Sequence, residues 1–124
     1  MTNQGQTHEG GLLKAPAGGG SHYKNFRALQ VHITQQVSLV EVMGDVVVAN
    51  PGVEVTLRYR VPQGTNPSAL MLDIEFYQRP GVWPQVETTR HVSFGRTMFG
   101  GPRYSEAEIV SGEVMMVRVP VEQL

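Results

Sequence analysis

Asp73 and Glu75 stand two residues apart in a stretch that alternates polar and apolar side chains. That spacing puts two carboxylates on one face of a strand, where they could divide acid and base work. Arg58 and Arg60 repeat the spacing in Val53–Val61, the most regular alternation in the chain. A hairpin joining the two stretches sets Arg60 opposite Asp73 and Arg58 opposite Glu75, with Tyr59 opposite Ile74 and Leu57 opposite Phe76, so that charge meets charge and apolar meets apolar. A solvated ladder of ion pairs, worth about 0.3 kcal/mol each, is favoured over a catalytic pair.

The remaining groups able to do chemistry are scattered. His8, His22, His32 and His91 contain no His-x-His or His-x-x-His spacing, so no local pair is offered to a metal. Ser38, Ser93, Ser105 and Ser111 lie in no Gly-x-Ser-x-Gly turn, and Gly18-Gly19-Gly20 lacks the strand and helix that make a phosphate cradle. The absence of cysteine removes disulfides, thiolate metal sites and a cysteine nucleophile. No metal, cofactor or catalytic centre is expected, and the chain reads as a protein other than an enzyme.

Groups suited to binding are better represented. Arg79-Pro80-Gly81-Val82-Trp83-Pro84 carries the single tryptophan on a proline-stiffened loop, a large apolar contact with little conformational entropy to lose. Thr88–Tyr104 combines Arg90, His91, Arg96 and Arg103 with Phe94, Phe99 and Tyr104 and holds no acid, whereas 31–57 carries Glu41, Asp45 and Glu54 and no lysine or arginine. These segments fit three partners. One is an acidic protein surface, including the 31–57 region of another copy. Another is a carbohydrate or acidic peptide held by Trp83 and the Gly95–Arg103 loop. A third is single-stranded nucleic acid, bound by phosphate contacts and base stacking. The net charge of −1 disfavours the third. The candidate binding residues are therefore Arg79, Trp83, Arg90, His91, Arg96, Phe99, Arg103 and Tyr104.

The elements that must position these residues follow from size and periodicity. A chain of 124 residues suits one domain with one core. Residues 1–22 are rich in Gly, Gln, Thr and Ala, with Leu12 and Leu13 as the only sizeable apolar groups besides Met1, and read as a flexible N-terminal arm ahead of a domain over 23–124. Short β segments follow: Phe26–Thr34 with Leu29, Val31 and Ile33 on one face, Val37–Met43, a turn at Gly44-Asp45 into 46–49, and Asn50-Pro51-Gly52 as a strong turn. Then come Val53–Val61, Leu70–Gln78, a weaker Val86–Phe94, a loop over Gly95–Arg103, and Val114–Val121, which Pro120 assigns to a sheet edge. Ser105-Glu106-Ala107-Glu108 matches a capping box and so a helical turn, with a strand through Ile109 as the rival. Asn50–Leu57 is similar to the turn-plus-strand openings of immunoglobulin-like modules over that short span only.

Seven or eight strands at this spacing predict an all-β, antiparallel β-sandwich of immunoglobulin-like or jelly-roll connectivity, with an open barrel as the alternative. The N-terminus lacks the basic start and apolar core of a signal peptide, and no segment is apolar enough to span a membrane. The expected protein is non-catalytic, cytoplasmic or particle-associated. It self-associates as a homo-oligomer or decorates a larger assembly, a phage or capsid-like particle being one setting, without membrane or nucleic acid as partner.

Overall fold

The computed structural model describes residues 5–124, and among them there is no helix. Ten strands succeed one another: β1 (Gly5–His8), β2 (Gly11–Leu13), β3 (Tyr23–His32), β4 (Val37–Val48), β5 (Val53–Tyr59), β6 (Ala69–Gln78), β7 (Gly81–Pro84), β8 (Thr88–Phe99), β9 (Glu106–Ser111) and β10 (Val114–Gln123). β1 and β7 form a two-stranded ribbon, and the other eight form one curled sheet. β5 lies at one edge beside β6; the far side of β6 is shared by β9 and β2; β10, β3, β4 and β8 complete the order. The sheet is mixed, since β6 with β9 and β10 with β3 run parallel. This corrects both the wholly antiparallel expectation and the strand count of seven or eight.

β10 produces the curl. Its residues as far as Pro120 pair with β9, and from Val121 onward it pairs with β3. Pro120 has no N–H to give, and it stands where the ladder passes from one neighbour to the other. β10 is thus interior, not the edge strand expected from its proline. At the opposite side Arg90 of β8 donates through Nε to the Val53 carbonyl at 3.0 Å and through its guanidinium to Pro51, drawing β8 towards β5. The two ends of the sheet therefore approach each other and enclose one core, in which Ala28, Val42, Leu72, Ala107 and Ile109 are fully buried.

The β5–β6 hairpin forms as expected, but two residues out of the expected register: Leu57 faces Ile74 and Arg58 faces Asp73. A shift of two keeps every side chain on its face, so the alternation cannot choose between the registers. Side-chain amides make the choice. Asn50 and Gln78 exchange reciprocal side-chain hydrogen bonds of 2.9 and 3.1 Å at one end. At the other, the Gln63 side chain donates to the Arg60 and Met71 carbonyls and accepts from the Met71 amide, each at 2.8 Å. The expected partners still meet along the diagonal, Arg58 with Glu75 and Arg60 with Asp73.

Several local expectations also change. Gly44 makes no turn; β4 runs through it because the Phe26 ring lies where a Cβ would stand, 2.5 Å away. A bulge between Lys24 and Arg27 delivers that ring, with Asn25 at φ 59°, a left-handed conformation that asparagine tolerates. β8 extends through Gly95 to Phe99, so the loop shrinks to Gly100–Arg103, where Gly100 and Gly101 take φ of 70° and 82°. Ser105–Glu108 enters β9 instead of a helical turn, in line with the rival reading, and Ala107 and Ile109 are buried there. The Arg79–Pro84 segment, expected as a loop, contains β7. In the arm, β1 lies on β7, β2 lies on β6, and the Tyr23 hydroxyl donates to the Pro16 carbonyl at 2.8 Å. Residues 1–4 of the arm lie outside the described residues.

Candidate functional site

In β3 and β4 the apolar side chains divide between the two faces in an unusual way. The inward positions of β3 hold Tyr23, Ala28 and Gln30, all buried, while Leu29, Val31 and Ile33 point outward. Gln30 is 2% exposed and uses its whole amide: Nε2 donates to Ser38 Oγ at 3.0 Å and to the Pro102 carbonyl at 3.2 Å, and Oε1 accepts from the Tyr104 amide at 2.9 Å and Gln123 Nε2 at 3.0 Å. Four bonds leave no polar atom of this side chain unpaired, which is what makes its burial affordable. Ser38 is inward as well, and Val37, Leu39 and Met43 of β4 are outward.

Register lines these outward residues into rows across four strands. Ile33 and Val37, joined by the Ile33 amide to the Val37 carbonyl at 2.9 Å, stand beside Phe99 of β8. The next row is Leu124, Val31, Leu39 and Thr97; Leu124 follows the paired end of β10 and its amide donates to the Gln30 carbonyl at 2.9 Å. Below it come Glu122, Leu29, Glu41 and Gly95, and then Arg27, Met43 and Ser93. Phe99 is 81% exposed, Ile33 62% and Leu124 61%; Leu29, Val31, Val37, Leu39 and Met43 are half-buried. Isolated exposed apolar residues are ordinary on a monomer, but a contiguous apolar field with polar groups at its margin marks a contact surface.

Charged groups form the margin. Arg27 pairs with Glu122 at 3.0 Å, while Glu41 has no ion-pair partner among the described residues. One row further on, Asp45 accepts from Asn25 Nδ2 at 2.9 Å and meets His91 Nδ1 across the β4–β8 ladder. The Asn25 hydrogen bond first, and the His91 contact second, hold the Asp45 carboxyl below its ordinary value of 3.8. An aspartate that orients an imidazole is a component of nucleophilic catalysis, and Ser93 stands two residues along from His91. Among the described residues no hydrogen bond joins Ser93 to His91, and the His91 side chain is 83% exposed. That pair has the setting of a solvated cross-strand contact.

The sequence-based candidates are distributed over three places. His91 and Phe99 lie on the outer face, and Arg103 stands in the loop beyond Phe99, where it borders a cavity of about 230 Å³ together with Gln30, His32 and Gln36. Arg79 and Trp83 belong to a separate cluster: the indole packs on Gly52, donates to the Arg79 carbonyl at 2.9 Å and lies under the Arg79 guanidinium at 5.1 Å, with Glu54 3.7 Å from Arg79. Arg90, Arg96 and Tyr104 serve the seam between the sheet ends. Arg96 sits 4.0 Å over Tyr59, which stacks on Phe94, and Tyr104 is buried with its hydroxyl pKa raised by desolvation first and by Tyr59 second. Leu29, Val31, Leu39 and Leu124 were not singled out from the sequence. The signal that could have found them is that Ala28 and Gln30 occupy the opposite phase of β3, so that one side of the strand had to be wrong for a simple core.

A larger cavity, about 480 Å³, opens where β9 leaves β6 after Asp73 and β2 joins it at Phe76, and it is lined by Leu12, Leu13, Arg58, Glu75 and Gly112 among others. Among the described residues no three His, Asp or Glu side chains gather around a common metal position, and no helix is long and apolar enough to cross a membrane. Comparison of the chain with protein-family models, with curated proteins and with solved structures returns no match.

Proposed function

We propose that the protein is a non-catalytic interaction protein that works by covering the outer face of β3, β4, β8 and the end of β10 with a protein partner, its curled sheet serving as a two-layer β-sandwich scaffold. The observation that carries this reading is that β3 and β4 hold Leu29, Val31, Val37 and Leu39 outward while Gln30 and Ser38 take inward positions beside Ala28, Val40 and Val42. Folding alone gives no reason to spend four large aliphatic side chains on the solvent side. Self-association or attachment to a larger assembly, of which a phage or capsid-like particle is one setting, both use such a face.

The test is photo-cross-linking in the native cell. Benzoylphenylalanine in place of Thr97, at the centre of the face, is expected to form protein adducts, whereas the same group in place of Arg58, on the other half of the curled sheet, forms none. Equal yields at the two positions, or no adduct at either, would sink the proposal.

A further inference from the structure

We infer that the mouth of the curled sheet, between the β3–β4 turn and the Gly100–Arg103 loop, binds a small hydroxylated carboxylate such as a sugar acid, with Arg103 seating the acid group. The cavity there opens on the inward residues Gln30, His32 and Ser38, so it is a site separate from the outer face. Its volume of about 230 Å³ lies below the roughly 300 Å³ at which sites for drug-sized ligands begin, which sets the scale of the occupant.

The walls are held without a ligand. The buried Gln30 amide donates to Ser38 Oγ at 3.0 Å and to the Pro102 carbonyl at 3.2 Å, tying the hairpin side of the cavity to the loop side. The Gly100 amide donates to the Gln36 carbonyl at 2.6 Å and closes the same gap nearer the rim. A site formed in advance loses little binding energy to ordering its walls.

The lining supplies a guanidinium, hydroxyls and amides and, among the described residues, no carboxylate side chain. Arg27, Arg58, Arg60, Arg79 and Arg118 pair with carboxylates, Arg90 donates to backbone carbonyls, and Arg96 lies over Tyr59. Arg103, exposed at the cavity rim, is the one arginine left without such a partner among the described residues. Its planar fork matches a carboxylate, and one guanidinium balances one negative charge. Ser38 lies deeper, 5% exposed. Its Oγ accepts from Gln30, so its own proton is left to donate, and no acceptor for that proton stands among the described residues. The exposed Gln35 and Gln36 side chains border the same cavity and offer both donors and acceptors, which is what ligand hydroxyls require. Trp83, expected from the sequence to share a site with this loop, lies against Gly52, beyond the far end of β4 from Val37. Recognition at the mouth therefore rests on charge and hydrogen bonds and not on indole stacking.

An amide NMR titration of the full chain with D-glucuronate tests this. The amides of 34–38 and 100–103 are expected to shift, with a dissociation constant of about 1 mM. Glucose keeps the ring and lacks the carboxylate, and propionate keeps the carboxylate and lacks the hydroxyls; each should bind about tenfold more weakly or worse. Arg103→Gln should weaken glucuronate by about tenfold or more. Because Arg103 is exposed, this variant should keep the melting temperature of the wild type, which separates lost binding from lost fold. An absence of shifts at those amides at tens of millimolar glucuronate overturns the site, and so does an undiminished affinity in Arg103→Gln. Glucose binding as tightly as glucuronate overturns the carboxylate, and propionate binding as tightly overturns the hydroxylated ligand.

Discussion

Gln30 shows at the scale of one residue why the face is read as functional. Its amide is buried with four hydrogen bonds, so Gln30→Leu leaves the buried Tyr104 amide and Ser38 hydroxyl without that partner and should cost about 3 kcal/mol, measured by urea denaturation. Leu39→Ser, one strand away and outward, should cost about 0.5 kcal/mol or less by the same measurement. Asp45 gives a second prediction. Its folded-state pKa is depressed, so the stability it supplies is present above its ordinary value of 3.8 and is lost as pH falls through the lowered one. Asp45→Asn should therefore lower the neutral plateau slightly and flatten the acid limb below about pH 4, so that variant and wild type converge in stability at acid pH. A limb of unaltered slope would show that the Asn25 and His91 contacts do not hold the carboxylate in solution.

Among the elements, the β5–β6 hairpin separates what alternation specifies from what it leaves open. A two-residue period places Leu57 and Ile74 inside and Arg58 and Glu75 outside in either register. Setting charges directly opposite favours the register two residues away from the one formed, which prevails because surface charges contribute little and the Asn50–Gln78 and Gln63–Met71 bonds contribute more. Asn50→Ala should cost about 2 kcal/mol and Arg58→Ala less than about 0.5 kcal/mol in chemical denaturation, the reverse of what a charge-driven register would require. The same limit applies to β3: the alternation of Leu29, Val31 and Ile33 was legible, but not that this phase faces water, because only the arrival of Tyr104, Gln123 and Pro102 from distant segments gives Gln30 its partners. The tether of the arm offers a check of its own. Burial pushes the Tyr23 hydroxyl up to about 12, from 10.0, so the folded chain keeps a proton that the unfolded chain releases. Stability should then be intact below pH 10 and fall as pH rises towards 12, and Tyr23→Phe should reduce that alkaline slope.

For the whole molecule, the β-rich class and the single core could be read from composition and spacing, whereas the parallel pairs and the curl could not. Both depend on β10 changing neighbours at Pro120, a long-range event that no local pattern encodes. Arg103 belongs to the loop that lies against Gln30, and the candidate site was legible only at its margin, through His91 and Phe99. Its aliphatic centre looked like core because alternating Val and Leu are the usual mark of an inward face. The central claim is that these residues serve a partner and not the fold. Thermal denaturation of the double variant Val31→Thr/Leu39→Thr beside Val40→Thr, whose side chain is 1% exposed, tests it most directly. The double variant should melt within about 3 °C of the wild type, and Val40→Thr about 8 °C or more below it. A double variant that loses as much as Val40→Thr would contradict the claim and return Val31 and Leu39 to the core.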